Sequence, residues 1–211
     1  MKKRLQSVNE KIVISIAAIS LAYFLLVTGF YLVYYDQDFY EKQFSVNGAA
    51  ERLGEENASH IQQDILLYLN TDKYDFGYGN HLQEFTELEK SHLADVKLII
   101  NILCDLYYLA LLLFGLSVLW FILRRQKKLK EIFGKTLLWG GSLSGGLIVL
   151  LGLSVFINFD SLFLFFHKLL FPQGNFAFPV DSLLKTLFPD AFFVVFAEKM
   201  FLFILVFSII S

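Results

Sequence analysis

Two histidines carry the most reactive arrangement in this chain. His92 falls in the series Phe85, Leu88, His92, Val96 and Ile99, whose steps of three and four predict one inward face of a helix. Asp95 follows three residues on and shares roughly that face, close enough to orient the imidazole. His167 closes the aromatic run Phe159-Asp160-Ser161-Leu162-Phe163-Leu164-Phe165-Phe166-His167 and stands at the same expected depth as His92. Imidazoles titrate near neutrality, so two of them converging in an aromatic pocket can serve as general base and general acid. Two other readings use the same residues. A buried histidine often does no more than bond a backbone carbonyl, and His92, Asp95 and His167 are also the ligand types of a metal-dependent membrane hydrolase.

Other chemistries lack their residues. The sequence holds no phosphate-cradling glycine loop, no HExxH and no CxxC pair, and Leu143 occupies the centre of the Gly/Ser run 140–146 where a nucleophile elbow needs serine. That run reads as small-residue helix packing instead, with Gly141 and Gly145 one turn apart. Cys104 is a lone cysteine inside an apolar stretch, so no intrachain disulfide is expected. Neither a metal nor a cofactor is expected. Nucleic acid is excluded as a partner, because the cations cluster only where topology calls for them.

The elements that must position the histidines follow from composition. Hydrophobic residues make up 56% of the chain and the mean hydropathy is +0.56, beyond what one soluble core requires. Charges are segregated into blocks, leaving uncharged runs that can cross about 30 Å of hydrocarbon at about 1.5 Å per helical residue. The sequence therefore predicts an all-α integral membrane protein with four transmembrane helices. Residues 1–35 form a cytoplasmic N-terminus and the first helix, whose apolar stretch is too long for a signal peptide and has no small-residue cleavage site after Thr28. An acidic extracellular cap, 36–97, precedes the second span, 98–123. A basic cytoplasmic loop, 124–135, leads to the third span, 136–157. An extracellular, interfacial Phe-rich segment, 158–188, precedes the fourth span, 189–211.

Lys2, Lys3, Arg4 and Lys11 before the first span, and the six cations of the 124–135 loop, orient the chain with both termini in the cytoplasm. The cap has thirteen acidic residues against Lys42, Arg52, Lys73, Lys90 and Lys97. Within it Leu53, Ile61, Ile65 and Leu69 predict an amphipathic helix, a turn is expected over 71–80, and a second helix starts near Glu84 and runs into the second span. The segment from Phe159 to Phe171 is too short to span and too apolar for water, which predicts a helix at the interface in contact with membrane lipid. Pro172, Gly174 and Asn175 then make a turn, and Asp181 or Ser182 caps a short helix carrying Leu183, Leu184 and Leu187.

These residues resemble a known family, the bacterial lipoprotein intramolecular transacylases, integral membrane proteins of Gram-positive bacteria. The resemblance covers nearly the whole chain. Its specific parts are Ser91-His92-Leu93-Ala94-Asp95-Val96-Lys97, similar to the family's His-x-x-Asp-Val-Lys helix, and Phe166-His167 followed by Phe171-Pro172-Gln173-Gly174-Asn175-Phe176-Ala177-Phe178. Asp181-Ser182-Leu183-Leu184 and Leu187-Phe188-Pro189-Asp190-Ala191-Phe192-Phe193 complete it, and Phe176 departs from the tryptophan favoured at that place.

The resemblance implies an enzyme that moves the sn-2 acyl chain of a diacylglyceryl-modified lipoprotein to the α-amino group of its N-terminal cysteine, giving a lyso-form lipoprotein. It implies His92 and His167 as the catalytic residues, with Asp95, Asn175 and Asp181 supporting them. Phe163, Phe166, Phe171, Phe176 and Phe178 are the expected substrate pocket. A non-enzymatic alternative is a membrane sensor or assembly factor whose acidic cap binds a cationic partner.

Overall fold

The computed structural model describes residues 2–71, 81–124 and 128–211, with side chains from Val8 onward. The turn expected over 71–80 lies outside the described residues except for Thr71, as do Arg125 and Lys127 of the basic loop. All regular structure among the described residues is helical. The order is α1 (Lys2–Tyr34), α2 (Gln37–Val46), α3 (Ala49–Leu53), α4 (Glu55–Asn70), a 3-10 turn (His81–Glu84), α5 (Glu87–Leu123), α6 (Leu129–Leu170), α7 (Leu183–Leu187) and α8 (Asp190–Ile210). Four of them, α1, α5, α6 and α8, are long and apolar enough to cross a membrane. The protein is therefore an all-α integral membrane protein.

The chain forms two compact units. One comprises residues 1–34, 104–153 and 199–211, and the other residues 35–103 and 154–198.

In the first unit the small residues are where helices meet. A Cβ on Gly140 would lie 2.8 Å from Leu21 of α1, and one on Gly141 would lie 2.6 Å from the Ser208 carbonyl of α8, so only glycine lets α6 approach both neighbours. Ser144 is fully buried one turn further on and bonds Ser208 Oγ at 2.7 Å. The Gly/Ser run is thus a packing seam.

In the second unit α2 begins at Asp36, whose carboxylate accepts the Phe39 N–H at 3.0 Å. Helix α4 buries Ile61, Ile65 and Leu69 of the expected stripe, together with Ala58, but Leu53 ends α3 instead, because the backbone breaks at Gly54 with φ 86°. Phe39, Tyr40 and Phe44 of α2 pack on Phe188 and Phe192, with ring centroids 5.3–6.4 Å apart. The Phe-rich segment is therefore part of the unit's core as well as its surface. Lys97 Nζ reaches the Thr71 carbonyl at 2.6 Å and lies 4.7 Å from the Tyr68 ring centroid, tying the end of α4 to α5.

Two local signals set the helices that carry the histidines. Thr86 and Glu89 form a capping box at the start of α5: Glu89 Oε2 accepts the Thr86 N–H and hydroxyl, each at 2.8 Å, while Thr86 Oγ1 accepts the Glu89 N–H at 3.3 Å. Helix α6 is interrupted at Asn158, whose backbone is extended (φ −161°, ψ 87°) and whose Oδ1 accepts the Ser161 N–H at 2.9 Å. A new helix, the distal arm 159–170, starts from that cap.

Candidate active site

From Phe85 into early α5 the buried residues are Phe85, Glu89, Leu93 and Ile100, so past Phe85 the expected Leu88, His92 and Ile99 each give way to the next residue. Leu88 is 42% exposed, whereas Phe85, Glu89 and Leu93 are buried. Glu89 takes the place of the leucine because its carboxylate has dedicated donors. Its Oε2 closes the capping box and its Oε1 accepts the Leu184 N–H at 2.9 Å, so one carboxylate joins α5 to the start of α7. His92 lies beside this stripe, half-buried.

The distal arm of α6 turns Phe163, His167 and Leu170 inward at steps of four and three, leaving Phe165, Phe166 and Leu169 more than half exposed. His167 Nδ1 lies 2.8 Å from the Phe163 carbonyl one turn back, and only an N–H can bond a carbonyl, so Nδ1 carries the proton and Nε2 a bare lone pair.

The two imidazoles stack with centroids 6.1 Å apart and planes 14° apart. All five predicted pocket phenylalanines ring them. Phe163, Phe166, Phe171 and Phe176 lie 4.0, 6.0, 5.5 and 5.3 Å from the His167 ring, and Phe171 and Phe178 lie 4.4 and 5.3 Å from His92. Both histidines lie outside the uncharged runs, His92 ahead of Leu98 and His167 beyond Asn158. Burial among the rings holds the His92 pKa down, to about 4, with the neighbouring His167 adding to the effect and Asp95 and Asn175 opposing it. Burial likewise lowers His167, against the Phe163 carbonyl and Asp190. Both are neutral near pH 7. Neutral imidazoles in an apolar setting can take a proton and give it back.

Asp95 reaches the pair by a route the helix spacing does not reveal. Its Oδ2 accepts hydrogen bonds from Gln173 Nε2 and, at 2.6 Å, from Asn175 Nδ2, which also donates to Ser91 Oγ at 3.1 Å. The turn after the distal arm delivers these amides: the Gly174 N–H bonds the Phe171 carbonyl at 3.0 Å, and Gly174 itself has φ 79°, a conformation that favours glycine. Asn175 is buried. Asp181 is exposed, and no described bond joins it to the histidines; the cap of α7 is Ser182, whose Oγ accepts the Lys185 N–H at 3.2 Å. Gln173, Ser91 and Glu89 are site residues that sequence reasoning left unassigned. The Thr-x-x-Glu capping signature was the one signal able to single out Glu89. Among the described residues no group of three His, Cys, Asp or Glu is disposed to hold a metal ion.

Residues 15–193 match the model of the family described as lipoprotein intramolecular transacylase Lit. The chain belongs to this family. Lit proteins are lipoprotein intramolecular transacylases, so the chain is a membrane enzyme of lipoprotein modification. Its fold is similar to that of the membrane-integral lipoprotein intramolecular transacylase Lit from Bacillus cereus, with TM-score 0.82 and 22% identity over 97% of this chain and 93% of that one. Two variants of the same Bacillus cereus protein, each with one histidine replaced, are similar at TM-score 0.80 and 21% identity, over 99% and 100% of this chain and 91% and 93% of theirs. At such identity the likeness establishes the shared Lit fold. No curated protein sequence is a significant match.

Proposed function

We propose that this transacylase moves the sn-2 acyl chain of a diacylglyceryl-modified lipoprotein to the α-amino group of the lipoprotein's N-terminal cysteine, with His92 and His167 as general base and acid. The observation that carries the reading is the stacked histidine pair inside a ring of phenylalanines. An α-amino group is largely protonated near neutral pH, where its pKa is about 8. For it to acylate, two protons must leave nitrogen as the new C–N bond forms and the ester C–O bond breaks. One ends on the departing glyceryl oxygen and the other in solvent. Two imidazoles can carry both without a covalent intermediate.

Donor and acceptor sit on one substrate, so the protein's main task is to fold that molecule until amine meets ester. Well-oriented groups reach effective molarities of about 10⁵ M or more. The phenylalanines suit an acyl chain and exclude the water that would hydrolyse the ester. Gln173, Asn175 and Asp95 offer polar contacts beside the apolar wall.

The cations near the N-terminus and in the 124–135 loop support cytoplasmic ends. The cap and active site then face the exterior, where membrane lipid borders the exposed phenylalanines of the distal arm. In mass spectrometry of a diacylated lipopeptide incubated with the purified protein, the expected product is an isomer of unchanged mass whose α-amino group is acylated and whose glyceryl carries one acyl chain. Loss of one acyl chain to free fatty acid would instead identify a hydrolase, and full activity in strong chelator would remove a metal from the mechanism.

A further inference from the structure

Two buried atoms in the site stand without a hydrogen-bond partner among the described residues: His92 Nδ1 and Asn175 Oδ1. One can carry a donor proton and the other is an acceptor. The orientation of the Asn175 amide is not arbitrary, because its Nδ2 lies 2.6 Å from Asp95 Oδ2. An ionised carboxylate only accepts, so it fixes the NH₂ end of the amide toward Asp95 and Ser91 and leaves Oδ1 to face the other way.

We propose that Asn175 is the positioning residue for His92: held by Asp95, its Oδ1 is the acceptor for a hydrogen bond from His92 Nδ1–H, which keeps the proton on Nδ1 and leaves Nε2 bare toward the pocket. This rests on the proposed role of the histidine pair. The opposite tautomer would bury two lone pairs, Nδ1 and Oδ1, with nothing to satisfy either. The amide's influence on His92, which favours its protonated form, agrees with an oxygen directed at the ring. The Phe163 carbonyl imposes the same tautomer on His167 at 2.8 Å. Different partners thus give both imidazoles the same state, with Nε2 as base, and a substrate ammonium meets two proton acceptors. Neither histidine begins as an acid. The proton that the glyceryl oxygen receives is one that the ammonium has given up, so the acid arises only after the amine has become a nucleophile. Asp95 thereby serves chemistry through an amide it orients and not through contact with the ring.

The tautomer can be read without turnover. In the full-length, detergent-solubilised protein labelled with ¹⁵N-histidine, with the His92 signals identified by their loss in His92→Gln, neutral His92 should show a protonated Nδ1 and a bare Nε2. Asn175→Ala should shift His92 toward the Nε2–H form and lower kcat about tenfold or more, with KM changed less than about threefold. Asp95→Asn should move the tautomer in the same direction but less far, because an amide at that position no longer dictates which end of Asn175 faces it. A wild-type His92 that already carries its proton on Nε2 would overturn the proposal, and so would a folded Asn175→Ala protein with an unchanged tautomer. If His92→Gln stays fully active, the catalytic reading fails, whatever the tautomer shows.

Discussion

The unit that holds the site contains a second pair of histidines, and the two pairs are nearly identical in separation. His60 and His81 stack with centroids 6.0 Å apart and planes 30° apart, against 6.1 Å and 14° for His92 and His167. Their surroundings differ. His81 Nδ1 bonds Asp64 directly at 2.8 Å, its backbone N–H bonds the same oxygen at 2.9 Å, and His60 is exposed. The His92–His167 pair has five phenylalanines around it, and its nearby carboxylate, Asp95, is bound by two side-chain amides. A histidine engaged by a carboxylate and wetted by solvent serves as a surface clip that holds the 3-10 turn on α4. One kept neutral among aromatic rings, with a free nitrogen, is equipped for proton transfer. Environment separates the pairs where residue type and spacing do not.

The sharpest way to break this comparison is to replace each histidine with glutamine. Turnover of a diacylated lipopeptide, followed by mass spectrometry, should fall about 10² or more in His92→Gln and in His167→Gln and stay within about twofold of wild type in His60→Gln and His81→Gln. Equal losses from the two pairs would erase the distinction. Stability should respond most to a residue that serves neither pair chemically. Glu89→Ala strips the Thr86 N–H and hydroxyl and the buried Leu184 N–H of their acceptor and should destabilise the solubilised protein by about 3 kcal/mol, read from thermal unfolding. By the same measurement Asp64→Asn, which disrupts the partly exposed His81 pair, should cost about 1 kcal/mol or less.

Asp95→Asn should reduce kcat by about tenfold, less than His92→Gln does, since the carboxylate acts through Asn175. A larger loss at unchanged thermal stability would make Asp95 a proton-transfer group. A further effect is on acid stability. His92 has a folded pKa of about 4, below the ordinary 6.5, so the unfolded chain takes up the proton first as pH falls. The stability that His92 contributes is then fully present above about pH 6.5 and is lost progressively toward pH 4. Between pH 7.5 and 5.5 the wild type should lose about 1 kcal/mol more than His92→Gln, whose side chain cannot titrate.

Much of this was legible in one dimension. Four apolar runs are too long for a soluble core and must cross a bilayer, the α4 stripe Ile61, Ile65 and Leu69 repeats at helical spacing, and Asn158 stands where the third apolar run meets the Phe-rich segment. These are local properties, set by hydrophobicity and by backbone hydrogen bonds that close within a few residues. The motifs around His92 and His167 were also readable, as a resemblance. Their convergence was expected from matched depth, but the near-parallel stack they form was not, because residues 92 and 167 lie on two helices whose mutual geometry no local spacing encodes. Tertiary structure likewise decided that Glu89, not Leu88, is buried, because the Leu184 N–H that completes its hydrogen bonds arrives from 95 positions away. It decided too that Asp95 bonds Asn175 and Gln173. Helical spacing put Asp95 near His92, but a carboxylate binds the donors that the fold presents to it, and two amides from the following turn occupy its Oδ2.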